Sequence, residues 1–354
     1  MVVPGALVFL LAALPALAVE GDPPGTVGGR QATGTFAPRG PASVGAVVLE
    51  IGPSDPFPRS YDTLLFQGEL PDAGISFEAS REDAAVWSAW LPAAVSRYPD
   101  GRFWAKVVFP GAGAGRLRLR ALAGGRPSGA AIVIYQMRVF LSGTAPAPAP
   151  APAPKPDGAA PPPLPVIERS DWGAKPPKDP YATHRPDRFT QHHSEGRRPL
   201  NLEQSLAEVR FIQEFHQKGR GWNDIAYHFL VDLEGRVFRG RPVSAVGAHV
   251  ANDNKGNVGV CFMGSHHPPK NDPVTSEQIA ASARIGRWLQ ASYGVTPDTL
   301  KGHRDRGSTD CPGDILYALL PRIKAEWKGG AALGARLESW FEGLRRRALG
   351  PNGR

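Results

Sequence analysis

Metal-competent side chains gather in the second half of the chain: His192 and His193, His303 within Gly302-His303-Arg304-Asp305, and Cys311 within Asp310-Cys311-Pro312-Gly313. Each group falls at the end of an expected strand. His303 and Cys311 are eight positions apart, a gap that suits one ligand on a strand end and another on the returning loop. Imidazole and thiolate are both good zinc donors, at about 2.0 to 2.3 Å. Two His and one Cys leave the fourth tetrahedral position to water, the arrangement of a catalytic rather than a structural zinc. Cys311 also lies just before Pro312, which is expected to open a helix, where backbone N–H groups and the helix dipole favour the thiolate. His193 adjoins a candidate ligand but points to the opposite strand face, so it is expected to pack or to support the site from behind.

The elements that must position these groups follow from periodicity. Phe189 to His193 is predicted as a strand, and Leu202 to Gln217 as a helix with Leu202, Leu206, Val209, Ile212 and Phe215 on one face. Tyr227 to Val231 and Val237 to Arg239 flank Leu233-Glu234-Gly235 and predict a hairpin. Asn257 to Met263 reads as a buried strand. Thr275 to Tyr293 predicts a helix, with Thr275 and Gln278 as a capping box and Gly294 as its stop. Thr299 to His303 is a last short strand, and a helix opened by Pro312 is expected to end near Trp327. The sum is an α/β domain over 166–328, a central mixed β-sheet flanked by helices.

Upstream, Ala145 to Pro165 is an Ala/Pro-rich linker whose polyproline II preference gives a rise of about 3.1 Å per residue, so it could hold two domains up to roughly 65 Å apart. Before it, short runs recur between Gly and Pro turns: Ala46 to Ile51, Thr63 to Gln67, Ile75 to Glu78, Val86 to Leu91, Phe103 to Phe109, Leu117 to Leu122 and Ala131 to Phe140. That spacing predicts a separate all-β sandwich-like domain over 19–144, a candidate wall-binding module. Arg116, Arg118 and Arg120 share one strand face, which reads as a solvated outer surface or as a basic strip for anionic glycan. Trp87, Trp90 and Trp104 are expected in the sandwich core, with stacking on sugar rings as the alternative.

The chain has 354 residues, 42% hydrophobic and 21% charged, which excludes wholesale disorder, collagen and coiled coil. Lys and Arg total 41 against 33 Asp and Glu, a net charge of +8 that suits an acidic polymer or surface. No nucleic-acid motif accompanies that charge, so no nucleic-acid partner is expected. Residues 1–18 carry no charged side chain and end in Ala16-Leu17-Ala18, the pattern of a cleaved signal peptide, although the usual Lys or Arg is missing and an uncleaved anchor is the alternative. A secreted or periplasmic protein is expected. With two cysteines, a disulfide framework is not what stabilises it. In the tail, 329–354, Leu333, Leu337, Trp340, Phe341 and Leu344 form an apolar stripe beside Arg345, Arg346 and Arg347. This basic amphipathic helix is expected to pack on the catalytic domain or to touch an anionic wall or membrane surface.

Over roughly Val166 to Trp327 the chain resembles the N-acetylmuramoyl-L-alanine amidase family, which includes peptidoglycan recognition proteins and phage amidase lysozymes. The marks are Arg169-Ser170-Asp171-Trp172-Gly173-Ala174, His192-His193-Ser194, Gly221-Trp222-Asn223-Asp224-Ile225-Ala226-Tyr227-His228-Phe229, Gly247-Ala248-His249, Asn257-Val258-Gly259-Val260, Gly302-His303-Arg304-Asp305 and Thr309-Asp310-Cys311-Pro312-Gly313, in that order. The resemblance implies that His192, His303 and Cys311 bind zinc and that Tyr227 contacts the reacting carbonyl. A phenol donor there is chemically apt, since it can stabilise the oxyanion as water attacks. Thr309 stands where phage enzymes have a lysine and animal recognition proteins a threonine, and is taken as a second catalytic candidate able to give a neutral hydrogen bond. A cytoplasmic branch has a glutamate on the strand that here carries Cys261 and Met263, so a carboxylate general base is not expected. Trp222, His249 and Asn257 are candidates to line the groove for glycan or stem peptide, with structural roles as the alternative for each.

The function these residues imply is zinc-assisted hydrolysis of the amide between N-acetylmuramic acid and L-alanine in peptidoglycan. Two other readings use the same site: a recognition protein that binds peptidoglycan without cutting it, and a zinc peptidase acting within stem peptides. Relatives that only recognise typically lose the cysteine ligand, and this chain keeps Cys311.

Overall fold

The computed structural model describes residues 34–36, 44–70, 74–124, 131–142 and 164–329. The expected signal segment 1–18, nearly all of the expected linker and the expected tail stripe lie outside the described residues.

In the first part, strands β1 (Gly34–Phe36), β2 (Val47–Ile51), β3 (Tyr61–Glu69), β4 (Ser76–Asp83), β5 (Val86–Trp87), β6 (Leu91–Pro92), β7 (Ala94–Arg97), β8 (Arg102–Gly113), β9 (Leu117–Leu122) and β10 (Ile132–Phe140) form two antiparallel sheets. Their orders are β1-β10-β3-β8-β7 and β2-β9-β4-β5, with β6 beside β4. Period-2 patterning makes the pair: in β9, Leu117, Leu119 and Ala121 are buried while Arg118 and Arg120 face outward. The inward side chains join Phe66, Phe77 and Phe103 in one apolar cluster. The expected run Val86 to Leu91 breaks into β5 and β6, after Ala84 and Ala85 turn the chain with positive φ.

Trp104 is buried as expected, but Trp87 and Trp90 are not core residues. Both indoles lie half-exposed on the outer face against guanidiniums, Arg118 at 4.3 and 4.5 Å from the two rings and Arg120 at 4.2 Å from Trp90. Cation–π contact gives a tryptophan a place on an Arg-bearing face that hydrophobicity alone does not predict. Arg116 and Arg120 are paired with Glu82 and Glu78, so the basic strip is partly neutralised.

In the second part, β11 (Arg188–His193), α1 (Leu202–Glu214), β12 (Phe229–Val231), β13 (Val237–Arg239), β14 (Asn257–Phe262), α2 (Ser276–Tyr293), β15 (Leu300–Gly302) and α3 (Asp314–Ala318) build one mixed sheet of order β13-β12-β14-β11-β15. Only the β12–β13 hairpin is antiparallel. Val258, Val260 and Phe262 of β14 face a core shared with α2, while Cys261 faces the side of α1. Thr275 and Gln278 close the capping box on α2, and Gly294 ends it at φ 77°.

Four boundaries differ from expectation. α1 stops at Glu214 and widens into a π-turn over Phe215–Gly219. Tyr227 precedes its strand rather than starting it. His303 lies in a 3-10 turn after β15. Pro312 does not open a helix, because Gly313 has φ 86° and α3 begins at Asp314.

The two parts are not held apart. Leu65, Trp104 and Phe140 of the front sheets share a cluster with Val209, Phe211 and Phe215 of α1 and its π-turn, so the front part, which has a core of its own, rests against the second part instead of standing off across the linker. Leu164, inside the expected linker, already packs in the core of the second part. Helix α1 is buried on two sides: Val209 and Ile212 belong to the predicted stripe, while Glu208 and Phe211 lie off it and are buried as well.

Candidate metal centre

Parallel pairing creates the site. Residues Phe189 to Gln191 of β11 align with Leu300 to Gly302 of β15, so the next residue of the first strand, His192, and the first residue past the second, His303, emerge side by side. Their ring centroids are 4.8 Å apart. The loop after β15 returns Cys311, whose Sγ is 3.5 Å from His192 Nδ1. The ligand atoms of His192, His303 and Cys311 all lie within 4.8 Å of one another, the one such group of three among the described residues, and all three side chains are buried.

Tetrahedral bonds of about 2.0–2.1 Å to nitrogen and 2.3 Å to sulfur would put sulfur and nitrogen about 3.6 Å apart. The Cys311–His192 spacing therefore fits a zinc-sized ion, and two imidazoles with a thiolate form a donor set zinc accepts. Cys261 is a buried thiol outside the group and in no disulfide.

The protons on this cluster can be assigned from hydrogen bonding. His249 Nε2 is 3.1 Å from the Asn257 carbonyl, which can only accept, so that nitrogen carries the proton. Nδ1 of His249 is then an acceptor, and His192 Nε2 donates to it across 3.0 Å. The lone pair of His192 is left on Nδ1, the nitrogen that faces Cys311. Burial, aided by His192 and His228, holds the pKa of His249 far below the ordinary value, so the ring stays a neutral acceptor. Close packing fixes it: a Cβ on Gly259 would come within 2.6 Å of the His249 ring, and one on Gly247 within 2.4 Å.

His249 and Asn257 are fully buried behind His192, so neither lines a groove as expected; Asn257 Oδ1 accepts from the Thr190 hydroxyl. Tyr227 is buried beside the cluster, its ring centroid 5.3 Å from that of His192. Trp222 packs beside it on His216, and the two tryptophan and tyrosine rings border a small cavity with Gln67 and Gln136 of the front sheets. Thr309 Oγ1 accepts the Cys311 N–H at 3.2 Å, which ties it to the loop that carries the thiol.

His193 points away from the donor group. Its Nδ1 accepts the His266 N–H, and Nε2 faces Glu195 at 3.4 Å. Glu195 has φ 48° and is almost fully buried. Burial alone would raise its pKa, but Arg138, His193 and Gln136 more than offset that and hold the carboxylate ionised. Arg138 and Gln136 belong to β10, so a front strand reaches to within three residues of a candidate zinc ligand. Sequence reasoning missed Glu195, Gln136 and Arg138. The one available sign was Phe211, an apolar residue off the stripe of α1 that required a second packing partner.

A family model described as N-acetylmuramoyl-L-alanine amidase matches residues 182–314. The chain is 30% identical over 172 residues to peptidoglycan-recognition protein SC2 of Drosophila simulans, covering 48% of this chain and 91% of that one. It is 32% identical over 167 residues to peptidoglycan-recognition protein LB of Drosophila melanogaster, covering 46% and 69%. A solved structure of N-acetylmuramoyl-L-alanine amidase LysC from Clostridium intestinale is 29% identical, covering 44% of this chain and 93% of that chain, with a TM-score of 0.37.

Proposed function

Because the chain belongs to the N-acetylmuramoyl-L-alanine amidase family, we propose that it is an exported, zinc-dependent amidase that hydrolyses the bond between N-acetylmuramic acid and L-alanine in peptidoglycan. The observation that carries this reading is the convergence of His192, His303 and Cys311 donor atoms within 4.8 Å. Zinc, when bound, supplies a water of lowered pKa and a Lewis acid for the carbonyl. The chain's own residues do the rest. His249 keeps the His192 lone pair directed at the site through the Nε2–H donation described above. Tyr227 supplies an O–H donor for the oxygen on which charge develops. Thr309 holds the Cys311 backbone and so positions the thiolate rather than the substrate. Trp222 flanks Tyr227 as an apolar wall for the bound chain.

Relatives bear names for peptidoglycan recognition, which supports the same polymer as the partner here. The apolar, uncharged segment over residues 1–18 supports export. No helix among the described residues is long and apolar enough to cross a membrane.

The test is mass spectrometry of products from purified muropeptides, with wild type beside Cys311→Ala. Free stem peptides beginning at L-alanine, lost in the variant, are the expected result. Cleavage inside the stem would replace this reading with a peptidase, and intact muropeptides that still bind would replace it with a recognition protein.

A further inference from the structure

The front sheets are locked to the catalytic domain by charges withdrawn from water. Arg102 on β8 meets Glu208 on α1 through two bonds of 2.9 and 3.0 Å, both side chains essentially unexposed, and its guanidinium lies 3.7 Å from the centre of the Phe211 ring. Arg138 meets Glu195 in the same way at 2.9 Å. Arg197, on the loop after β11, reaches back to Glu69 at 2.6 Å and Asp100 at 2.7 Å. These three sets of ion pairs, two of them fully desolvated, tie the front body to the second part at separate points.

Beside these contacts lies an interdomain cavity of about 290 Å³. Glu69 and Tyr135 form its front wall; Arg197 and Arg198 of the loop after β11, and Lys270 and Asp272 of the loop after β14, form the other. The cavity holds more positive charge than its own residues neutralise. Arg197 and the Tyr135 hydroxyl satisfy Glu69. Asp272 accepts the Ser265 N–H. Among the described residues neither Arg198 nor Lys270 has a carboxylate partner, and Lys270 lies 5.0 Å from the centre of the Tyr135 ring. Both loops leave the carboxyl ends of parallel strands, the edge that presents His192 and the place where α/β sheets bind ligands. Arg198 is six residues past His192, hence no more than about 22 Å away along the chain, within reach of a short extended peptide held at the metal centre.

We propose that this cavity is a subsite for a free carboxylate on the bound peptide, and that the front sheets are a fixed wall of the substrate cleft rather than a tethered wall-binding module. The substrate class rests on the amidase reading above. Arg198 and Lys270 supply the cations, while the Glu69 and Asp272 oxygens disfavour a phosphate dianion and are suited to accept peptide N–H groups. A single carboxylate flanked by amides matches that mixture of donors and acceptors.

The test uses the full-length chain and a synthetic stem peptide, which is a product and needs no turnover, in its free-acid and fully amidated forms. Calorimetric titration of wild type is expected to favour the acid by about tenfold or more, the worth of one charge-assisted hydrogen bond. The double variant Arg198→Gln, Lys270→Gln is expected to abolish that preference while keeping the wild-type melting temperature. Equal binding of acid and amide by wild type overturns the proposal, as does a preference that survives in the variant. Inorganic phosphate competing better than the peptide acid also overturns it. Muropeptides left uncut by wild type would instead refute the amidase reading alone, because acid-over-amide binding is read separately.

Discussion

Replacing His249 with phenylalanine keeps the ring volume and removes the acceptor that His192 Nε2–H meets at 3.0 Å. His192 then either loses that hydrogen bond, at about 0.5–1.5 kcal/mol, or moves its proton to Nδ1 and loses the lone pair aimed beside Cys311. Both routes weaken the metal centre, and loss of such a supporting partner typically costs 10- to 100-fold in metal affinity, or about 1.4–2.7 kcal/mol. Glutamine is the informative counterpart: its carboxamide places an acceptor and a donor about as far apart as the two imidazole nitrogens, so it can accept from His192 and donate to the Asn257 carbonyl. Zinc dissociation constants by chelator competition should rank wild type and His249→Gln together, with His249→Phe at least tenfold weaker. Long-range nitrogen-15 correlation spectra of the metal-free protein should show His192 protonated on Nε2 in wild type and a changed tautomer population in the phenylalanine variant. Phenylalanine binding zinc within threefold of wild type, or glutamine failing as badly as phenylalanine, would refute the relay.

Arg102→Met strands the Glu208 carboxylate in the interface and should cost about 3–5 kcal/mol in urea denaturation, whereas replacing both members by apolar residues should recover most of the loss; equal destabilisation by the single and double variants would argue against a buried pair. Deleting residues 19–144 should leave Phe211, Phe215, Glu208 and Glu195 without their front-sheet partners, so soluble yield of the remainder should fall sharply; a monomeric, well-folded product would count against the fixed wall. Gly259→Ala would press a methyl into the His249 ring and should lower stability by about 1–3 kcal/mol together with zinc affinity, read by melting curves and chelator competition. Burial holds the pKa of His228 down to about 3 and that of His266 down to about 4. Unfolded, both titrate near 6.5, so the unfolded chain binds more protons below that pH, and stability should fall from about pH 6.5 toward pH 4 by roughly 2–3 kcal/mol for each histidine. Urea midpoints that do not move between pH 7 and pH 4.5 would contradict this.

Much of the second part was legible because its signals are local. The capping box at Thr275 and Gln278, the glycine stop at Gly294 and the apolar run of β14 after Asn257 each depend on residues within a few positions of one another. The two-sheet front part was legible for the same reason, through alternation such as that of β9. Local rules failed where a neighbour distant in sequence decided the outcome. Trp87 and Trp90 read as core by composition, yet the guanidiniums of Arg118 and Arg120 hold them on the surface. Pro312 read as a helix opener, yet the backbone at Gly313 delays the helix to Asp314.

The sequence by itself determined the donor chemistry of the candidate site, because His192, His303 and Cys311 sit at strand ends or on a short return that parallel pairing must bring to one edge of the sheet. It also determined the family, through motifs whose order is a property of the chain alone. Only the tertiary structure decided that His249 stands behind the site instead of in the groove, and that the front sheets close against α1. Those outcomes rest on pairs 57 and 106 residues apart, His192 with His249 and Arg102 with Glu208. Periodicity reports which face of an element avoids water, whereas the identity of what covers a second face depends on register between distant segments, and that exists only once they are packed together.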